Sequence, residues 1–96
     1  MENQVTIDLQ TRVVQVDDVL SSQVDDDLVL MSIENDQYYG MDSVSRRIWE
    51  LVAEPRVVAD VCDQLLSEYR VEPDTCQREV VTYIQQLADE QLVRVI

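Results

Sequence analysis

The spacing of apolar side chains changes character near residue 42. Before it, apolar residues alternate or cluster as β-branched runs; after it they recur at helical spacing. Val5, Ile7 and Leu9 alternate with Thr6 and Asp8, the period of a half-buried strand, and Val13, Val14 and Val16 follow. Either stretch can pair as an extra strand or stay as an arm, so residues 1–18 are set apart from a domain spanning 19–96. VLSSQV at 19–24 reads as a weak strand, and Asp25, Asp26 and Asp27 as an acidic turn. LVLMSI at 28–33 is the strongest strand, and its near-continuous apolar character predicts the middle of a sheet. Asn35 and Asp36 both tolerate the left-handed conformation of a tight hairpin, which makes QYYGM at 37–41 the returning strand. Three such strands in sequence form an antiparallel meander whose last strand is an edge.

Three helices follow. Asp42 or Ser43 caps the first, because either side chain can accept from a free N–H of the first turn. Val44, Ile48, Leu51 and Val52 share one face beside Trp49, the only tryptophan and a core candidate. Pro55 stops this helix near Glu54. The second helix covers about 57–69, with Val58, Val61, Cys62, Leu65, Leu66 and Tyr69 as its stripe; Arg56 is a poor cap for it. Pro73 suits the first position of a third helix over 74–90, where its missing N–H costs nothing, and Asp74 adds favourable charge. Cys76, Val80, Tyr83, Ile84, Leu87 and Ala88 give that helix its buried side; it should fray near Gln91, leaving Leu92, Val93 and Val95 to pack back or pair. Strands followed by helices define an α+β class.

Length and charge narrow the function. At 96 residues the chain supports one domain and one core. Twenty acids against seven arginines, with no lysine or histidine, give a net charge of −13. That charge repels phosphate backbones and anionic membranes. Without histidine there is no imidazole ligation and no Ser/His or Cys/His catalysis. Gly40 is the only glycine, so a Gly-rich phosphate loop is excluded, and Asp25–Asp27 lack the alternating ligands of a calcium loop. Asp17 and Asp18 read as solvated in the same way. Neither a targeting signal nor a membrane span is legible, and the expectation is a cytoplasmic protein without cofactor or metal. Cys62 and Cys76 sit in helical patterns, where such residues more often serve as small core apolars than as a disulfide. Tyr38 and Tyr39 must face opposite sides of their strand, one toward the core and one outward. Tyr83 lies at the margin of the third helix. These tyrosines read either as the rim of a small core or as contacts for a ligand. A helix–turn–helix reading places Gln77, Arg78, Gln85 and Gln86 on a recognition helix, but Asp74, Glu79, Asp89 and Glu90 leave it negative.

The order of these elements resembles the PqqD-like family, also called RiPP recognition elements, and most closely its stand-alone branch in lasso-peptide gene clusters. The likeness spans about 19–95. It is carried by the strand exit Tyr38–Asp42, the Ile48-Trp49 pair and the Tyr69-x-Val71 turn. The resemblance implies three antiparallel strands packed on three helices, winged helix-turn-helix-like. It also implies a non-catalytic, monomeric adaptor that binds the leader segment of a ribosomally made precursor peptide. The leader would join as an added strand and be presented to a leader peptidase of the cysteine-protease type, with an ATP-dependent cyclase downstream. Carried onto this chain, the peptide site is the edge Gln37, Tyr38, Tyr39, Gly40 and Met41 with Cys76, Glu79, Val80, Tyr83, Ile84 and Leu87 of the groove helix. The family often has asparagine where Asp42 stands and glycine near Gln91, which bears on the helix ends. The alternatives are an acidic winged-helix regulator or DNA mimic and, more weakly, a redox partner using Cys62 or Cys76.

Strand physics supports the peptide reading. QYYGM carries no lysine, proline or bulge to block its edge, and its glycine allows close backbone approach. Such an edge suits strand addition, with Val80, Tyr83 and Leu87 as the pocket stripe beside it. The acidic charge favours a peptide with basic residues.

Overall fold

The computed structural model describes residues 6–17, 19–25, 27–33 and 36–96. Its elements are β1 (Arg12–Gln15), β2 (Val19–Val24), β3 (Asp27–Ser32), β4 (Gln37–Met41), α1 (Ser43–Leu51), β5 (Arg56–Val57), α2 (Val58–Glu68), α3 (Pro73–Asp89) and β6 (Val93–Val95). This is an α+β fold of three helices and two three-stranded antiparallel sheets.

The meander is present, in the order β2-β3-β4, with β3 central and β4 at an edge. Leu30 pairs with Tyr39 and Leu28 with Met41, so the alternate residues 28, 30, 39 and 41 face the helices. Leu30 and Met41 are buried there. Asp36 takes the left-handed conformation (φ 53°) at the hairpin; Asn35 lies outside the described residues, as do Val5, Asp18 and Asp26.

The second sheet, in the order β5-β1-β6, adds to the expected architecture. Among the described residues only the later of the two N-terminal stretches pairs. Residues 8–11 turn instead: the Thr11 N–H donates to the Asp8 carbonyl at 3.1 Å, and the Gln10 N–H to the Asp8 carboxylate at 2.8 Å. An Asx-type turn thus interrupts the alternation after Ile7. Val13, fully buried, pairs on one side with Arg56 and on the other with Val95. Two residues of β5 are too few to display a strand period, which is why the pattern merged them with the helix that follows.

Backbone carbonyls supply what the sequence of α2 lacks. Val57 offers no capping side chain. The Val58 and Ala59 N–H groups donate instead to the Thr11 and Leu9 carbonyls, at 2.8 and 2.9 Å. Free first-turn donors are therefore satisfied by the N-terminal segment. At α1 the Asp42 carboxylate accepts from the Ser45 N–H at 2.9 Å. Pro73 opens α3 as expected. Its far end closes in a Schellman arrangement: Gln91 is left-handed (φ 62°), the Leu92 N–H donates to the Leu87 carbonyl at 2.8 Å and the Gln91 N–H to Ala88 at 3.0 Å. This turn sends Leu92 and Val93 back into the core, where both are buried. Trp49 is in the core with them.

Candidate functional site

β4 and α3 run beside each other and enclose a groove of about 370 Å³. Its strand wall is Tyr38, Tyr39, Gly40 and Met41; its helix wall is Tyr83, Gln86, Leu87 and Glu90, with Leu92 between. The strand wall exists because hairpin closure at Asp36 leaves β4 as the last strand. The helix wall exists because the i, i+4 spacing of Tyr83 and Leu87 turns both to one side of α3. The Tyr39 hydroxyl donates to the Glu90 carboxylate at 2.7 Å and so ties the two walls at the end of α3. Tyr39 is half-buried against the core, whereas Tyr38 is 73% exposed on the opposite face of the sheet.

A second cavity, of about 410 Å³, lies past the end of β4, between α1, the end of α2 and the first half of α3. Val44, Ser45, Ile48, Leu65, Tyr69, Val71, Cys76, Glu79 and Val80 line it, and Tyr83 again forms part of the wall. Tyr83 is thus the side chain common to both spaces. Burial pushes its phenol up from the ordinary value, partly opposed by a hydrogen bond with Ser45, and Asp42 pushes it up further. It stays a neutral hydroxyl across the physiological range, an apolar ring with one polar tip.

The residues expected at a peptide site divide accordingly. Tyr38, Tyr39, Gly40, Met41, Tyr83 and Leu87 meet in the groove, and Cys76, Glu79 and Val80 line the neighbouring cavity. Gln37 is exposed at the start of the strand, and its amide oxygen lies 3.4 Å from the Tyr39 hydroxyl. Ile84 is fully buried and lines neither space; it backs them from the core. Gln86, Glu90 and Leu92 of the groove, and Ser45, Tyr69 and Val71 of the cavity, were not singled out as peptide contacts. Only the i, i+3 and i+7 relation of Tyr83, Gln86 and Glu90 along one helix could have indicated the first two. Gly40 does not have a positive φ, and a Cβ there would meet nothing within 4 Å. Nothing described in the fold demands glycine at that point.

Cys62 and Cys76 are free and buried, with the Cys76 thiol 4.0 Å from the Cys62 carbonyl. Burial pushes the Cys62 thiol up to about 11, helped by Cys76, and burial likewise raises Cys76. Protonated, sequestered thiols are poor nucleophiles. Among the described residues there is no cluster of metal-ligating side chains, and no helix is long and apolar enough to cross a membrane. Acids line both spaces: Asp42 and Glu79 the cavity, Glu90 the groove.

Comparison with known proteins fits this geometry. The profile of the family described as coenzyme PQQ synthesis protein D (PqqD) matches residues 27–93, more than half of the chain, and takes in β3, β4 and all three helices but not β2. The chain belongs to the PqqD family. The resemblance drawn from Tyr38–Asp42, Ile48-Trp49 and Tyr69-x-Val71 therefore holds. One similar solved structure is TbiB1 in complex with the TbiA(beta) leader peptide: 31% identity, TM-score 0.76, covering 84% of this chain and 94% of that one. Another is a lasso peptide synthetase B1 complexed with the leader peptide, at 21% identity and TM-score 0.75, covering 85% of this chain and 96% of that one; this second likeness speaks for the fold alone. No curated protein sequence matches the chain.

Proposed function

We propose that this protein is a non-catalytic adaptor that binds the leader segment of a ribosomally synthesised, lasso-type precursor peptide and presents it to a leader peptidase. The observation that carries the reading is the uncharged edge of β4 running alongside the apolar margin of α3. An extended peptide added to that edge gains main-chain hydrogen bonds, while alternate side chains enter the groove beside Tyr83 and Leu87. The open space at Gly40 lets the incoming backbone approach closely. Asp42, Glu79 and Glu90 favour basic residues around the strand segment. That the relative TbiB1 was solved with a leader peptide supports the same assignment.

In this reading the receiving enzyme is a separate peptidase of the cysteine-protease type, with an ATP-dependent cyclase acting later, and the adaptor works as a cytoplasmic monomer. Nothing favours the alternative of a nucleic-acid regulator. α3 carries Arg78 against Asp74, Glu79 and Asp89, and a negative recognition helix cannot release counterions from phosphate.

The test is fluorescence polarisation of the labelled leader from the neighbouring precursor gene. Tyr83→Glu puts a charge where the peptide must exclude water and should weaken binding roughly ten- to a hundredfold. Because Tyr83 is only half-buried, circular dichroism should report a folded variant. A folded variant with unchanged affinity places the site elsewhere. Leaders N-methylated at alternate backbone nitrogens form the second arm: one register should bind poorly, and if neither does, the peptide is not an added strand.

A further inference from the structure

The meander has two edges, and leader binding occupies one. The other, β2, is the most exposed strand of the fold: five of its six residues are open to solvent, Leu20 at 56% and Val24 at 55%. Among the described residues its only strand partner is β3. VLSSQV contains no charge and no proline, the usual devices that keep an edge from pairing. Acids stand at both ends instead, with Asp17 before the strand and Asp25 and Asp27 after it, all exposed; Asp18 and Asp26 adjoin them in the sequence.

This bracket selects the occupant. A second copy pairing antiparallel on β2 would set Val19 opposite Val24, and so bring the acids that precede the strand in sequence opposite those that follow it. Like charges would then meet at both ends of the new ladder, which opposes self-pairing. A strand with Lys or Arg at each end meets opposite charge at both ends. We propose that β2 is a second strand-addition edge, which takes from a partner protein an uncharged, β-prone segment of about six residues flanked by basic side chains. Leu20, Met31 and Tyr38 stand in one cross-strand row on the outer face, and alternate apolar side chains of the incoming strand extend that row. With β4 occupied, the strand order is partner, β2, β3, β4, leader. At about 4.8 Å per strand, partner and leader then lie about 19 Å apart on one continuous sheet. The β2 site goes beyond the leader reading and does not depend on it.

The experiment is a two-dimensional amide NMR titration of the full chain with the synthetic peptide Lys-Arg-Thr-Val-Thr-Val-Thr-Val-Arg-Lys, alone and with saturating leader. A peptide of the same centre with Asp and Glu flanks is the comparator. The expected result is shifts concentrated on residues 19–24, no displacement of the leader, and roughly tenfold tighter binding of the basic-flanked peptide at low salt. Asp25→Asn with Asp27→Asn should cost about threefold, and Asn at 25 tolerates the left-handed backbone that Asp25 adopts (φ 57°). Equal binding of the two peptides, shifts confined to 37–41, competition with the leader, or no shift at millimolar peptide would each overturn the proposal. Concentration-dependent shifts of 19–24 without any peptide would assign the edge to a second copy and overturn it as well. Should the leader fail to perturb 37–41 while the probe still perturbs 19–24, the leader reading falls and the β2 site stands.

Discussion

The two sheets each have three strands, yet they are built on opposite principles. The meander is local: 19–24, 27–32 and 37–41 are joined by short turns. Its pairing is extensive, and among the described residues no further strand joins either edge. The other sheet joins 12–15 to 56–57 and to 93–95, parts of the chain that are remote in sequence. Its strands are short, and the hydrogen bonds around it run to loops and helix ends: the Gln15 N–H to the Val52 carbonyl at 2.9 Å, the Val16 N–H to Leu92 at 2.9 Å and the Ile96 N–H to Arg12 at 3.0 Å. The Gln15 side-chain amide adds a bond to the Trp49 carbonyl at 2.7 Å. One sheet therefore spends its backbone groups inside the molecule and fastens both ends of the chain to the core. The other ends, among the described residues, in an edge strand on each side. A protein that recognises peptides needs both, because an open edge binds productively only if the body behind it does not rearrange.

Substitutions that separate the two sheets come first in expected size. Val13→Asp places an unpaired charge at the centre of the fastening sheet and should cost more than about 4 kcal/mol, a large part of a small domain's stability. Circular dichroism should then show no cooperative melt. Ser22→Asp, on the exposed β2, should stay within about 0.5 kcal/mol of the parent. Equal effects from the two would erase the distinction. Next, truncation after Gln91 removes β6 with the buried Leu92 and Val93, and should cost about 3–6 kcal/mol in urea unfolding. A truncated chain that melts like the parent would mean that the second sheet fastens nothing.

Smaller effects sharpen the same picture. Gln91 holds a left-handed backbone that glycine adopts without penalty. Gln91→Gly should therefore stabilise by about 0.5–1 kcal/mol, read as a higher urea midpoint at unchanged slope. The least effect at neutral pH concerns the thiols. Cys62 keeps its proton to about 11 in the folded chain, against an ordinary 9.0. Between those values the folded state binds a proton that the unfolded state has released. The Cys62 contribution should be constant below pH 9 and be lost as pH rises toward 11. Cys62→Ala should abolish that alkaline loss while leaving leader affinity unchanged. Loss of binding in the folded variant would give the Cys62 sulfur a functional role.

Legibility differed between regions for physical reasons. The meander could be read because alternation, an acidic turn and the Asn35-Asp36 hairpin signal lie close together in the sequence. The groove was legible in outline: the uncharged QYYGM edge and the Tyr83–Leu87 stripe are local patterns, and the structure lays them side by side. Glu90 was legible only as an exposed acid at a helix end, because its bond to Tyr39 spans a gap of 51 residues. Ile84 shares the periodicity of its neighbours on α3, and a period alone does not say which members of a stripe reach the surface and which stay beneath it.

By itself, then, the amino-acid order determined the helices and their Asp42 and Pro73 starts, the three-stranded meander with β4 at its edge, and the family. All of these rest on side-chain patterns within a few residues of one another. Tertiary structure decided the second sheet, the capping of α2 by the Leu9 and Thr11 carbonyls, and the closing of a groove between β4 and α3. Those features are made largely by main-chain groups, which every residue carries alike, and by pairings between distant segments. Side-chain periodicity specifies which face of an element is buried but not which remote backbone will meet it. That choice is made only when the whole chain packs around one core.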